Sequence, residues 1–310
     1  MIPLNRRYEQ LIQDLRSELR PQREWAENRG LFLVIGHFLV GVAGGTWLCS
    51  LLFELRGGLA VAFCLGVLGG LSHLAFLGRP ERFWKMALHV RTSWISRGFW
   101  GLSLFLIGGV LYLVPQFLPG APWRSGSVPA AIGYVVSLIG MVGIIGYMGF
   151  VYSSSRAIPF WNSPTHPLLY IAYALRGGMA VLLIILMFEG RSPDATLTAI
   201  KVWLVVTTVV VVLYLFEIYG AVSGHNPAAR QSVRDLLFGR VAVYFYGGTL
   251  LIGILIPAML VSGFVFPLSM GTLAIIGFAS VIGDFFMKYT TIKAGVYMPL
   301  YPRVTRQVGH

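Results

Sequence analysis

Apolar segments long enough to cross a lipid bilayer make up most of this sequence. A transmembrane helix needs about 20 mainly apolar residues, because the hydrocarbon core offers no water to satisfy backbone polar groups. The sequence therefore predicts an all-α membrane protein with about eight transmembrane helices. The windows that carry this prediction are residues 31–53, 58–77, 98–118, 128–152, 166–188, 195–220, 241–262 and 267–287.

The chain divides into three parts on this basis. Residues 1–30 form an N-terminal amphipathic or docking segment, residues 31–290 the eight-helix transmembrane domain, and residues 291–310 a C-terminal tail. Between residues 4 and 20, apolar side chains recur at helical spacing while charged ones fall on other faces. This pattern predicts an amphipathic interfacial helix that lies on the membrane surface or against a partner subunit. Its apolar stripe comprises Leu4, Tyr8, Leu11, Ile12, Leu15 and Leu19.

Composition narrows the classes of function. Hydrophobic residues make up 56% of the chain and charged residues only 12%, whereas soluble domains contain about 25% charged residues. So little water-soluble surface remains that nucleic-acid binding is not expected. Cys49 and Cys64 are the only cysteines, and both lie in apolar segments. Without a CxxC or CxxCH motif, we expect no iron–sulfur cluster or c-type haem in this chain, and no metal site.

The basic residues are unevenly distributed between the two predicted faces. The chain has 24 Lys and Arg against 12 Asp and Glu, and an even number of spans puts both termini on one face. Because Lys and Arg concentrate in cytoplasmic loops, we predict a bacterial or archaeal cytoplasmic (inner) membrane protein with both termini cytoplasmic. A basic face can also dock a partner. Basic residues on the terminal face include Arg79, Arg82, Lys85, Arg91, Arg97, Lys288 and Lys293, whereas Arg56, Arg124, Arg191 and Lys201 fall on the other face.

Ionisable residues inside predicted spans are candidates for function, since each costs about 2.5–3.5 kcal/mol to insert. Arg176 and Glu217 lie deep in their spans, with Asp284 in the last. These three are candidates for a proton pathway. The plainer alternative is that Arg176 and Glu217 neutralise one another, or that one of them pairs with Asp284. Glu54 and Lys201 lie near span ends, where the charged group can reach water.

Three hydrogen-bonding side chains fall at similar depth in the leaflet that holds the termini. His37 lies in the first span, His73 near the end of the second and Tyr147 near the end of the fourth. Singly, each is more often a packing or interfacial residue. Together they predict a pocket for an apolar ligand with polar ends, such as a quinone. Histidine suits this task because it gains and loses a proton near neutral pH.

Two other functions fit the same residues. His37 and His73 lie on adjacent antiparallel spans in one leaflet, so they are also candidate axial ligands of a b-type haem. A proton-coupled transporter that uses Arg176, Glu217 and Asp284 is the second alternative. Transporters often contain repeated halves, and no convincing repeat is visible in this sequence.

The connection between the second and third spans is dense in polar residues. Gly78-Arg79-Pro80 ends the preceding helix, because proline cannot continue the hydrogen-bond ladder. Residues 81–90 then predict a short interfacial helix, with Phe83 and Trp84 at the headgroup level. A loop that merely anchors the protein in the membrane accounts for this composition on physical grounds alone.

Three stretches resemble the NrfD/PsrC family, the membrane subunits of polysulfide-reductase-like complexes. They are LGRPERFWKMALHVRTSWISRG between the second and third spans, GHFLVGVAGGTWL in the first span and YMGFVYSSSRAIPFWN at the exit of the fourth. The resemblance implies an eight-helix, quinone-reactive anchor that exchanges electrons and protons with menaquinone or ubiquinone. It implies as partners a ferredoxin-like subunit with [4Fe-4S] clusters and a molybdopterin catalytic subunit, with no haem or cluster in the chain itself.

Site residues carry over position by position. The quinone-binding histidine and tyrosine of the polysulfide-reductase branch match His37 and Tyr147, and His73 lies near the family's second-helix acid, which has no match here. The related DmsC-type branch has a histidine and a glutamate where this chain has Phe76 and Gly98, which favours the polysulfide-reductase arrangement. The loop arginines expected to contact the partner are Arg79, Arg82, Arg91 and Arg97.

Overall fold

A computed structural model describes residues 8, 9, 12, 14, 18–189, 192–263 and 268–298. These residues are mainly helical, and eight of their helices are long and apolar enough to span a membrane, which confirms the predicted fold class. A short helix, α7, lies between the sixth and seventh spans. The helices are α1 Gly30–Leu52, α2 Arg56–Phe76, α3 Trp94–Phe117, α4 Val128–Ser153, α5 Thr165–Glu189, α6 Pro193–Ser223, α7 Pro227–Leu237, α8 Ala242–Val261 and α9 Met270–Lys293.

Polar side chains fix where several helices begin. The Ser93 hydroxyl accepts a hydrogen bond from the Ser96 amide at the start of α3, at 3.3 Å. Ser192, Asn226 and Ser269 cap α6, α7 and α9 in the same way. Such caps satisfy amide groups that have no partner within the helix, and each contributes about 1 kcal/mol. The spans therefore start at defined residues.

Helices α1 and α5 form the centre of the bundle, and the apolar window of each is 72% buried. They cross where Gly45 meets Gly178: a methyl group built on Gly45 would lie 1.8 Å from the carbonyl oxygen of Ala174, and one on Gly178 would lie 2.1 Å from the carbonyl carbon of Gly45. Close approach of backbones at small residues is the usual way for membrane helices to pack. The outer helices present exposed Leu, Ile, Val and Phe side chains to the lipid.

Helix α8 departs from regular α geometry. Its central segment Phe245–Leu255 is a π-helix, a rare conformation that often marks functional sites. Gly253 in this segment packs against Gly283 of α9, and a methyl group on Gly283 would lie 2.0 Å from the Gly253 α-carbon. The sequence pattern does not predict this departure from α geometry.

The two ends of the described chain meet on one face of the bundle. The Gln22 amide donates to the Gly295 carbonyl at 2.7 Å, and the Tyr297 amide donates to the Arg20 carbonyl at 2.9 Å. The flanks of the first and last spans are therefore on the same side, as an even number of spans requires. The predicted amphipathic helix over residues 4–20 falls mostly outside the described residues, as do Arg191 and residues 299–310.

Candidate functional site

A cavity of about 580 Å³ opens among α1, α2, α3 and α4, towards the face that carries the termini. Its wall is almost entirely apolar, and the side chains of His37, His73 and Tyr147 gather at one place in it. The three residues that the sequence placed at similar depth thus line one cavity. Apolar residues of the wall include Leu33, Leu71, Leu74, Phe99, Leu102 and Leu106.

The three polar side chains contact one another. The ring centres of His37 and His73 are 5.0 Å apart, and those of His37 and Tyr147 are 5.9 Å apart. The Tyr147 hydroxyl lies 3.4 Å from Nε2 of His73. The cavity therefore has one polar end built from three helices.

Hydrogen bonding defines the tautomer of His73. Its Nδ1 lies 2.7 Å from the carbonyl oxygen of Gly69, and because a carbonyl can only accept, Nδ1 carries a proton. In neutral His73, Nε2 is therefore an acceptor, and the Tyr147 hydroxyl donates to it. Protonation of Nε2 would turn this atom into a donor at the edge of the cavity.

His37 has a second buried partner, which does not line the cavity. Its Nδ1 lies 2.6 Å from the hydroxyl of Tyr152 on α4, and both side chains are buried. The backbone of His37 has a partner on α9: the Lys288 ammonium donates to the His37 carbonyl at 3.4 Å. Gly41 makes room for Lys288, because a methyl group there would lie 2.9 Å from the lysine nitrogen. Tyr152 thus contacts the His37 side chain, and Lys288 contacts the His37 backbone.

The polar loop that follows α2 covers the cavity. Its segment Pro80–Ala87 is a 3₁₀-helix, within the region where the sequence predicted an interfacial helix. Phe83 and Met86 of this segment line the cavity, and the Trp100 indole nitrogen donates to the Ala87 carbonyl at 3.1 Å. The loop therefore forms part of the site.

The arginines of this loop have two different environments. Arg79, Arg82 and Arg91 are exposed, as a docking surface requires. Arg97 is half-buried: it donates to the carbonyls of Val90 and Arg91 at 3.0 and 2.8 Å, and its guanidinium lies 4.1 Å from the Trp94 ring centre. The hydrogen bonds that Arg97 donates thus fix the loop to the start of α3.

Phe76 and Gly98, the two positions at which the sequence comparison distinguished this chain from the DmsC-type branch, both line the cavity. Gly98 faces the ring of Tyr147 so closely that an added methyl group would lie 2.2 Å from Cδ2 of that ring. Any side chain at position 98 would therefore displace Tyr147. A glutamate at position 98 and a tyrosine in the place of Tyr147 are sterically incompatible in this structure.

The deep charged residues form two separate pairs. Arg176 makes an ion pair with Asp284, and it donates to Thr207 at 3.1 Å and to the Gly253 carbonyl at 2.6 Å. Arg176 therefore joins α5 to α6, α8 and α9. Glu217 pairs instead with His166, whose Nδ1 lies 2.8 Å from its carboxylate. Arg176 and Glu217 thus do not neutralise one another.

Lys288 does not belong to the basic residues of the terminal face, where the sequence analysis placed it. The sequence placed it outside the last span, but α9 continues to Lys293, and Lys288 is only 2% exposed. The apolar window stopped early because Asp284 and Lys288 lower its hydropathy, although both point into the bundle. Their spacing of four residues puts them on one helix face, a signal that could have revealed the burial. Tyr152 and His166 were missed as well, because each lies next to the end of an apolar window.

No cluster of three or more His, Cys, Asp or Glu side chains suited to a metal ion occurs within residues 18–189, 192–263 and 268–298. The polar end of the cavity instead carries two histidines and a tyrosine, which exchange protons and hydrogen bonds. Such an end can orient an oxygen-bearing ligand and move protons to or from it.

Comparison with known proteins agrees with this architecture. The family model described as polysulphide reductase, NrfD, matches residues 29–299. Protein NrfD of Escherichia coli (strain K12) is 27% identical over 260 residues, which cover 72% of this chain and 80% of that protein. The NrfD homologue of Haemophilus influenzae (strain Rd) is 27% identical over 217 residues, which cover 61% of this chain and 65% of that protein. The matched region contains all eight spans and every residue of the cavity's polar end, and the chain therefore belongs to the NrfD polysulphide reductase family.

Proposed function

We propose that this chain is the quinone-reactive membrane subunit of a respiratory molybdopterin and iron–sulfur oxidoreductase. It anchors the complex in the cytoplasmic membrane and exchanges electrons and protons with membrane quinone or quinol. The observation that carries the proposal is the meeting of His37, His73 and Tyr147 at the polar end of an otherwise apolar cavity. Family membership supports the role of a membrane subunit in a redox complex.

The cavity fits a quinone in size and in chemistry. Ligand cavities range from about 300 to 1,000 Å³, and this one measures about 580 Å³. Its wall includes Leu71 of α2 and Ile95 of α3, which remain 56% and 51% exposed. A ligand that dissolves in lipid can therefore reach the cavity between α2 and α3 without crossing water. Its apolar ring would contact the leucines and Phe99, with its oxygens at the polar end.

The polar residues have distinct tasks in this proposal. A bound quinone or quinol supplies two-electron chemistry coupled to two protons. His73 gains or loses a proton on Nε2 while the Gly69 carbonyl fixes its Nδ1. When Nε2 is protonated it donates to the Tyr147 oxygen, which leaves the Tyr147 hydroxyl proton available for a ligand oxygen. His37 exchanges its proton with Tyr152 behind it. Electrons pass to or from the clusters of a ferredoxin-like partner, which docks on the exposed loop arginines Arg79, Arg82 and Arg91.

The geometry gives less support to the alternatives. Nε2 of His73, the atom that would have to bind the iron, lies 3.4 Å from the Tyr147 hydroxyl. The two rings are in direct contact, whereas an axial pair must be separated by the haem. An absorption spectrum of the purified protein would expose a haem through its Soret band. The transporter hypothesis loses support because Arg176 and Asp284 form a closed ion pair.

Binding of a short-tailed quinone analogue tests the proposal directly. Trp25 lines the cavity, so we expect the analogue to quench tryptophan fluorescence of the purified protein, and less so after Trp25→Phe. Tyr147→Phe should weaken binding about 2- to 10-fold, the effect of one lost hydrogen bond worth about 0.5–1.5 kcal/mol.

The control is Tyr134→Phe, which also removes one tyrosine hydroxyl. Tyr134 lies at the opposite end of α4 from Tyr147 and is 38% exposed. We expect it to leave binding unchanged. If the two tyrosine variants and the unmodified protein bind the analogue with equal affinity, as judged from quenching, the assignment of Tyr147 is contradicted.

A further inference from the structure

A second buried polar cluster lies behind His37, on the side away from the cavity. His166 at the start of α5 and Glu217 near the end of α6 have fully buried side chains, and His166 Nδ1 lies 2.8 Å from Oε1 of Glu217. The other carboxylate oxygen, Oε2, accepts hydrogen bonds from Ser163 at 2.9 Å and from Thr165. A carboxylate so buried needs a reason, because burial of a charge away from water is costly.

Tyr152 joins this cluster to the cavity. Its hydroxyl lies 2.6 Å from Nδ1 of His37, and its ring centre lies 6.0 Å from that of His166. Tyr170 packs against both, with ring centres 5.3 Å from Tyr152 and 4.7 Å from His166. Tyr152 therefore lies between the histidine of the cavity and the histidine of the second cluster.

Two polar atoms in this region have no protein partner among the described residues. They are Nε2 of His166 and the Tyr170 hydroxyl, and both are buried. Buried polar atoms are almost always hydrogen-bonded, to protein or to ordered water. Nε2 is the atom of His166 that Glu217 does not use, so it is the ring atom that remains available to receive a proton.

The far side of the cluster leads to water. Ser163 and Thr165, which donate to Glu217, are partly exposed and lie on the face that carries the termini. The polar groups thus run from the cavity to the surface in the order His37, Tyr152, His166 and Glu217, followed by the two hydroxyls. Their route is independent of the covering loop Pro80–Ala87.

We propose that the His166–Glu217 pair is the proton-exchange site of the quinone cavity, reached from His37 through Tyr152. This inference rests on the proposed function. When quinol is oxidised, two electrons leave one at a time to the iron–sulfur centres of the partner, and two protons are released. One proton is taken up by Nε2 of His73. The other enters the imidazole of His37 as the His37 Nδ1 proton moves to the Tyr152 oxygen and the Tyr152 hydroxyl gives its own proton to Nε2 of His166. His166 then passes its Nδ1 proton to Glu217, and quinone reduction runs the same steps in reverse.

The step between Tyr152 and His166 is the longest in this chain of transfers. Rings with centres 6.0 Å apart exchange a proton through one bridging water or through a rotation of the imidazole. The Tyr170 hydroxyl is placed to hold that water. Other titratable groups near the cluster are Tyr173 on α5, whose ring centre lies 6.3 Å from that of Tyr170, Tyr214 on α6, and Lys288 on α9, whose ammonium lies 5.3 Å from the Tyr170 ring centre.

Glu217→Gln in the assembled complex, in native membranes or proteoliposomes, tests the proposal. Glutamine keeps the shape and can still accept from Ser163 and Thr165, but it cannot take up the proton. We expect quinone-linked turnover to fall at least 10-fold while the affinity for the quinone analogue changes less than 2-fold. Glu217→Asp should restore part of the rate. Glu189→Gln, at the exposed opposite end of α5, is the matched control and should behave as the unmodified protein.

Infrared difference spectra provide a readout that a merely structural pair would not change. Oxidising or reducing the bound quinone should produce a carbonyl band from a carboxylic acid that gains or loses its proton. This band should be absent in Glu217→Gln and present in Glu189→Gln. If the band persists in Glu217→Gln, another carboxyl group takes the proton and the proposal is wrong.

Tyr152→Phe provides a second route to the same answer should Glu217→Gln assemble poorly. Phenylalanine keeps the packing and removes only the hydroxyl, so turnover should fall by a similar factor. Because both variants interrupt one path, the double variant should be no slower than the slower single variant, whereas independent effects would multiply. Multiplied effects, or normal turnover in both single variants, would overturn the relay. If instead the unmodified complex neither binds the analogue nor turns over quinone, the proposed function itself fails.

Discussion

Replacing Asp284 with alanine is expected to lower the free energy of unfolding of the bundle by about 3–5 kcal/mol. Removing one partner of a buried ion pair costs this much, because the remaining charge stays in a low-dielectric interior. Arg176 is 1% exposed and Lys288 is 2% exposed, and Asp284 interacts with both. The substitution therefore leaves two cations without their carboxylate. Titration of the purified protein from mild into denaturing detergent, followed by circular dichroism, measures the loss.

A double variant separates the charge effect from lost packing. Arg176→Met with Asp284→Leu removes both charges and fills similar volume, so it should be more stable than Asp284→Ala alone. It should not match the unmodified protein, because Arg176 also donates to Thr207 and to the Gly253 carbonyl of the π-helix. Asp194→Ala, in the exposed first turn of α6, should cost about 1 kcal/mol or less. A loss in Asp284→Ala no larger than in Asp194→Ala would show that the pair carries little of the stability.

The same ion pair shows how far the sequence predicts this molecule. Hydropathy alone located all eight spans, because the bilayer requires a continuous apolar stretch whatever the tertiary packing. It placed Arg176, Glu217 and Asp284 inside spans that are far apart in the chain, but it left open whether Arg176 pairs with Glu217 or with Asp284. That pairing depends on the rotation of α5 and α9 about their axes, and the nearly uniform apolar character of these helices leaves the rotation unspecified.

The cavity was easier to anticipate than the groups behind it. Depth along each span brings His37, His73 and Tyr147 to one level, and the structure shows that the rotation of the three helices turns all of them into one cavity. Tyr152 and His166 lie close to helix ends, where a tyrosine or histidine is ordinary. Only the packing of α4 against α5 shows that both are buried. Lys288 was misplaced for a related reason: a lysine near a span end is expected to extend to water, whereas Gly41 here admits it to the interior.

Gly98→Ala is expected to reduce quinone-linked turnover about 100-fold or more. The added methyl group would lie 2.2 Å from the Tyr147 ring, so the ring has to move by more than about 1 Å to reach ordinary van der Waals separation. A displacement of this size in a positioning group costs on the order of 100-fold in rate. The helix itself should not suffer, because alanine favours helical conformation over glycine by about 1 kcal/mol. Turnover in membranes, normalised to the amount of assembled complex, measures the effect.

Gly70→Ala is the matched control on the facing helix α2. Gly70 also lines the cavity, but a methyl group there meets only Cδ2 of Leu102, at 3.4 Å, which is an ordinary contact. Both variants add one methyl group to a glycine of the cavity wall, so they differ mainly in whether Tyr147 moves. We expect Gly70→Ala to retain turnover within about 2-fold. Similar rates in the two variants would mean that the position of Tyr147 does not govern the reaction. A selective loss in Gly98→Ala would explain why a chain that uses this tyrosine has no side chain at position 98.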